Sequence, residues 1–177
     1  MNNQFKYGFL GITSLLFCGA CVTKQNEQLN ILFITADDLG YESLGFTGNT
    51  TPDISPNIDS LATESMQFRN AFVTVSVSQP SRSSWITGRY PHRNGAVGFN
   101  PICNENPMLG KQMRKAGYFT ALYGKGTHFA PITEEQWDDC VAELPNYGRD
   151  ASEFEKVIVK SIKESTKRAN FFCLIID

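Results

Sequence analysis

The segment Leu29-Asn30-Ile31-Leu32-Phe33-Ile34-Thr35 is almost unbroken apolar, and it stops at Ala36-Asp37-Asp38-Leu39-Gly40. A run so short and so apolar reads as a strand covered on both faces, as in a parallel or mixed sheet under helices. A second such run, Phe171-Phe172-Cys173-Leu174-Ile175-Ile176, leads to Asp177, and Tyr118 to Tyr123 is strand-like as well. Phe68 to Val77 reads as a strand running into a loop. Helical signals lie between these runs. Ser55-Pro56 is a cap followed by a first-turn proline, with Ile58, Leu61 and Ala62 at helical spacing. Pro80 to Thr87 is bounded by proline and Gly88, and Asn106-Pro107 opens a helix stopped by Gly117. Ser152 and Glu155 form a capping-box pattern ahead of Phe154, Val157, Ile158 and Ile162, which mark one helix face to about Arg168. The alternation is that of an α/β fold. In open α/β sheets, ligands sit beyond the carboxyl ends of the strands, which is where Asp37 and Asp38 fall.

With 177 residues, 41% of them apolar and 19% charged, the chain can bury one ordinary core. A net charge of −2 argues against a broad basic nucleic-acid surface. The start of the chain reads differently. Lys6 precedes an apolar run from Tyr7 to Val22, shorter than the roughly 20 residues of a membrane helix and suited to an export signal over residues 1–22. The run ends in Cys18-Gly19-Ala20-Cys21. Small residues before a cysteine resemble a bacterial lipoprotein signal, with Cys21 as the lipidated residue and Cys18 standing where leucine is usual. Residues 23–28 form a polar tether, so the globular part is expected over 29–177. Cys103, Cys140 and Cys173 show no metal-site spacing. Cys173 lies in an apolar run and reads as core, and Cys103 and Cys140 are a candidate disulfide pair.

Three short segments carry the chemistry. The first is Ser78-Gln79-Pro80-Ser81-Arg82-Ser83-Ser84-Trp85-Ile86-Thr87-Gly88-Arg89. Its helix start favours an anion, and Arg82 offers a planar cationic fork to oxygen ligands. The second is Asp37-Asp38, adjacent carboxylates whose oxygens suit Ca²⁺ or Mg²⁺. The third is Gly124-Lys125-Gly126-Thr127-His128, again just past a strand and holding one of only two histidines. The first segment resembles the sulfatase signature: Cys or Ser, any residue, Pro-Ser-Arg, then Thr-Gly. Only Ile86 departs, where leucine is commoner. The third segment resembles the family's Gly-Lys-x-x-His form.

The resemblance implies an alkaline-phosphatase-like mixed sheet sandwiched by helices, of which this chain is the N-terminal portion. It implies that Ser78 is oxidised to formylglycine, and that Asp37 and Asp38 bind Ca²⁺ together with that residue. The aldehyde hydrate would attack sulfur through one hydroxyl; the other, once deprotonated, would expel sulfate. Lys125 would neutralise sulfate, and His128 would hydrogen-bond the hydrate and take its proton. His92, in Tyr90-Pro91-His92-Arg93, would be structural. A serine-type signature implies a radical-type maturing enzyme, oxygen-independent, and hence an anaerobic bacterium. Segments such as Asp37-Asp38-Leu39-Gly40-Tyr41-Glu42-Ser43 and Phe68-Arg69-Asn70-Ala71-Phe72 are similar to the heparan N-sulfatase branch. The expected substrate is therefore a sulfated glycan. The expected location is the periplasm or the outer membrane, with membrane contact only through a lipid on Cys21.

Two other readings stand beside it. One is a related phosphatase or phosphonate-ester hydrolase. The other is a non-catalytic remnant or glycan-binding lipoprotein. The family's remaining metal ligands, another lysine and a leaving-group histidine fall after residue 177. The chain by itself is thus expected to be inactive and poorly stable, with an exposed hydrophobic sheet edge.

Overall fold

A computed structural model describes residues 28–103, 105–132, 135–168 and 171–176. The export signal, the lipidation site Cys21 and the tether up to residue 27 lie outside them. Gln28 is within, and its side chain donates to the Ala116 carbonyl at 3.2 Å.

The described strands are β1 (Ile31–Ile34), β2 (Phe119–Tyr123), β3 (Asp139–Val141) and β4 (Phe172–Ile176), in the spatial order β1–β4–β2–β3. All three pairings are parallel, with Ile31 opposite Cys173, Phe119 opposite Phe172 and Ala121 opposite Asp139. The helices are α1 (Pro56–Thr63), α2 (Ser78–Thr87), α3 (Pro91–Asn94), α4 (Leu109–Lys115) and α5 (Ala151–Lys167). Parallel neighbours need crossovers, and helices and loops cover both faces of the sheet's centre. Strand alternation assigns the two sides. Phe119, Ala121, Tyr123 and Leu174 pack with Leu144 against Phe154, Val157 and Ile158 of α5. Leu122 and Ile175 face the other way, against Ile86 of α2, Met108, Phe129 and Trp137.

The expectation of α/β architecture holds, as do β2 and β4; of the expected α5 face Phe154, Val157 and Ile158 pack on the core, while Ile162 is exposed. Cys173 is buried in the core as expected, and its burial pushes the thiol up to about 11. Several other expectations are corrected. β1 forms where the sequence put it, but at the sheet's edge, with side-chain exposures of 36% to 67% instead of cover on both faces. Residues 68–77 form no strand: they have no ladder partner, and Phe68, Phe72 and Val73 face solvent. α2 starts at Ser78, two residues before Pro80, because proline is tolerated throughout a first turn where no N–H is needed. Its end is as read, with Gly88 left-handed at φ 66° and bonding back to Ser84. α4 begins at Leu109, not at Asn106, whose side chain instead bonds the carbonyls of Asn94 and Cys103. α5 is capped by Asp150, which accepts from the Ser152 amide, and not by Ser152. In α1 only Ala62 is buried; Ile58 and Leu61 are exposed. Cys103 and Cys140 are free thiols, so the candidate disulfide is absent.

Candidate active site

The site lies beyond the carboxyl ends of β1 and β2, where the start of α2 meets the loops that follow both strands. α2 opens on Val77, which has no side chain able to cap it, so the first turn presents its amides outward. Ser78 is the first residue of that turn and Arg82 is one turn on, on the same face. The Arg82 guanidinium donates to Ser78 Oγ at 2.5 Å through one nitrogen and reaches Asp37 Oδ1 at 3.4 Å through the other. Arg82 is buried, its side chain only 8% exposed. Buried charge needs partners, and a planar fork can serve two acceptors at once.

The loop after β2 brings the other two groups. Lys125 Nζ binds Asp37 Oδ2, and His128 Nδ1 lies 3.0 Å from Ser78 Oγ. The Lys125 hydrogen bond lowers the Asp37 carboxyl below its ordinary value; burial opposes it less strongly, and the charges of Lys125 and Arg82 add to the lowering. The loop is stitched to β3 and the residue after it. The Gly124 amide donates to the Val141 carbonyl at 2.9 Å, and the Gly126 amide to the Ala142 carbonyl at 2.7 Å. A side chain at position 126 would meet Ala142 Cα at 2.6 Å. Lys125 (φ 40°) and Asp38 (φ 52°) both hold the left-handed region, where non-glycine residues are uncommon and cluster at functional sites.

Of the residues singled out in the sequence, Ser78, Arg82, Lys125, His128 and Asp37 form one connected cluster. Asp38 follows Asp37 but, among the described residues, joins no bond of that cluster. His92 stacks on Tyr90 at 5.9 Å and so has a structural partner. For a metal, the oxygens of Asp37, Asp38 and Ser78 are the right kind for Ca²⁺. Among the described residues, no group of three or more His, Cys, Asp or Glu side chains converges to hold an ion. The donor chemistry fits a hard cation, and the donor count falls short of the roughly six to eight oxygens calcium takes.

Three further residues support the site without having been singled out for it in the sequence. Phe99 places its ring edge-on to His128 at 6.1 Å, and Gln79 ties that loop to α2 by donating to the Asn100 carbonyl at 2.9 Å. Asn94, fully buried, donates to the Ser83 and Arg89 carbonyls and to Thr87 Oγ1, bracing the far end of α2. Nothing in residue type alone marks any of them.

Known proteins resemble this chain in sequence and in fold. An N-acetylgalactosamine-6-O-sulfatase of Bacteroides thetaiotaomicron is 38% identical over 65% of this chain and 24% of its own length. The human N-sulphoglucosamine sulphohydrolase is 32% identical over 89% of this chain and 32% of its own length. The chain thus spans about a quarter to a third of these relatives. Among solved structures, a protein in complex with its substrate D-glucosamine-2-N,6-O-disulfate superposes with a TM-score of 0.68 at 21% identity, over 84% of this chain and 34% of that one. The phosphonate monoester hydrolase of Agrobacterium radiobacter superposes at 0.54 with 25% identity, over 71% and 22%. The fold is therefore the alkaline-phosphatase-like α/β fold, present in part. The sulfatase family pattern matches residues 29–159, a span that takes in β1 with Asp37, the start of α2 with Ser78 and the Lys125–His128 loop. The chain belongs to the sulfatase family.

Proposed function

We propose that this chain carries the nucleophile and the anion-binding groups of a hydrolase that releases sulfate from sulfuric esters or sulfamates on sulfated glycans. The observation that carries the reading is the double contact of Ser78 Oγ, with a buried guanidinium on one side and an imidazole nitrogen on the other. A structural serine at a helix start needs neither.

Each residue then has a task. Arg82 and Lys125 supply positive charge to the oxygens of the bound anion, in a partly desolvated setting where such charge counts most. His128 Nδ1 holds or accepts the proton of the oxygen at position 78. Asp37 holds Lys125 and Arg82 together in the free protein, one on each carboxylate oxygen. The formylglycine made from Ser78 would supply the hydrated aldehyde as nucleophile. Asp37, Asp38 and that same oxygen would hold Ca²⁺, which when bound polarises the anion and acidifies the nucleophile. These three account for part of the ion's shell, so the chain on its own is proposed to turn over little or not at all. The family's relatives include sulfatases of glycan substrates by name, among them an ulvan-active sulfatase of Formosa agariphila. Export through residues 1–22, with a lipid on Cys21, would place the site outside the cytoplasm.

Mass spectrometry of the protein made together with a radical-type maturing enzyme tests the reading directly. The peptide holding Ser78 should lose the mass of one hydrogen molecule. A wholly unmodified peptide would instead support a non-catalytic glycan-binding protein. The phosphonate hydrolase likeness favours a second reading, in which the same cluster serves phosphorus esters. Paired assays with an aryl sulfate and an aryl phosphate separate the two.

A further inference from the structure

A cavity of about 470 Å³ opens beside the anion cluster, lined on one side by Lys125 and His128 and on the other by Glu143, Asn146 and Tyr147. That volume falls within the range of small-ligand sites. The far wall is a short loop after β3, Pro145–Gly148, with two features that folding alone does not require. The Tyr147 side chain is 91% exposed, so it adds almost nothing to the core. Asn146 (φ 52°) and Tyr147 (φ 57°) are both left-handed, a conformation unfavourable for a bulky residue. The loop is nevertheless held at both ends. Leu144 is buried in the core beside α5, the Arg149 amide bonds the Asn146 carbonyl at 3.1 Å, and Gly148 lies against the Phe154 ring. The anchored ends keep an aromatic ring in solvent at the rim of the cavity.

The two walls differ in chemistry. One is cationic and meets Ser78. The other offers an aromatic face and the exposed Glu143 carboxylate, a strong acceptor for hydroxyl groups. An inorganic anion would use only the first wall. A ligand that uses both has an anionic group joined to a ring with apolar C–H faces and hydroxyls at its edge. The geometry points to Tyr147 and Glu143 as the sugar subsite of this protein: the Tyr147 ring carries the face of a sulfated pyranose, and Glu143 takes its hydroxyls. The sulfate of that sugar then lies at Lys125 and His128. This assignment rests on the sulfatase reading of the Ser78 cluster, and it adds the residues that choose the sugar.

Calorimetric or NMR titration of the unmodified chain, which cannot turn over through formylglycine, tests the assignment with two probes: inorganic sulfate and N-sulfoglucosamine. The sugar should bind more tightly than sulfate. Tyr147→Ala should weaken the sugar about tenfold and leave sulfate binding and the urea midpoint unchanged, while Tyr147→Phe keeps the wild-type affinity. Equal sugar binding by wild type and Tyr147→Ala overturns the subsite while sulfate binding, lost in Lys125→Ala, upholds the cluster. Equal weakening of both probes also overturns it, since the loop would then be shaping the anion site. Failure of both probes to bind wild type overturns the subsite and the cluster reading together.

Discussion

Asp37 holds the cluster together because its two oxygens face different cations, Arg82 through Oδ1 and Lys125 through Oδ2. Its carboxyl is held below the ordinary range, so the arrangement is complete above that range. It is lost as pH falls through the lowered value. The residue types of the cluster were all legible in the sequence, since each stands in a segment whose spacing carries chemistry. What holds them in place was not. Gly126 reads as one more glycine in a loop, yet it is where the Lys125 loop packs on Ala142. Gly126→Ala should force that backbone apart. The expected outcome is a loss of about 1–3 kcal/mol in urea unfolding, together with weaker sulfate binding, because Lys125 adjoins the displaced residue and His128 follows it in the same loop. Unchanged stability and binding would show that the contact is soft.

Element by element, the strongest periodic signals survived. β2 and β4 are short apolar runs that reach the sheet's centre, and the first half of α5 sets Phe154, Val157 and Ile158 against the core, while its second half buries Ser161 and Ser165. β3 was invisible: Asp139-Cys140-Val141 is too short and too polar to signal a strand, and it exists because Tyr123 and its neighbours offer it a parallel ladder. Its Asp139 also accepts from the Tyr123 hydroxyl at 2.9 Å and pairs with Lys160 of α5 at 2.7 Å. The cap of α5 was misread for a related reason, since Asp150 and Ser152 both suit a helix start and only the backbone decides which flanks it. Bonding to Ser152 lowers the Asp150 carboxyl, so the cap stabilises α5 at neutral pH. It weakens as pH falls through the lowered value. Asp150→Ala should therefore lower the thermal midpoint at pH 7, and the gap to wild type should close in acid. Asp150→Asn, which keeps an acceptor oxygen, should lie near wild type at pH 7. A gap that stays constant with pH would assign the loss to something other than the carboxylate.

At the scale of the whole molecule, burial is uneven across one sheet. β2 and β4 carry the core on both faces, while β1, among the described residues, pairs only with β4 and leaves Leu32 at 50% and Ile34 at 67% exposure on one face. On its other face Phe33 meets Trp85, with ring centroids 4.8 Å apart, and is still 39% exposed. Leu29, Leu39, Phe68 and Phe72 are exposed in the chain that flanks β1 and leads on toward α2. Apolar surface on this scale, beside a strand whose outer edge has no partner among the described residues, favours association in water. The same strand leads to Asp37 and the Ser78 cluster, so the least covered element of the sheet carries the residue that pairs with both cations. The 177-residue chain should accordingly self-associate as its concentration rises, seen as growing sedimentation coefficients in velocity runs. Leu32→Lys with Ile34→Lys should suppress that growth, because both side chains lie on one face of the strand. Sulfate affinity should persist in the double variant if β1 keeps its register with β4. A wild-type chain that sediments as a monomer at every concentration would mean that this surface is covered in solution by residues outside those described.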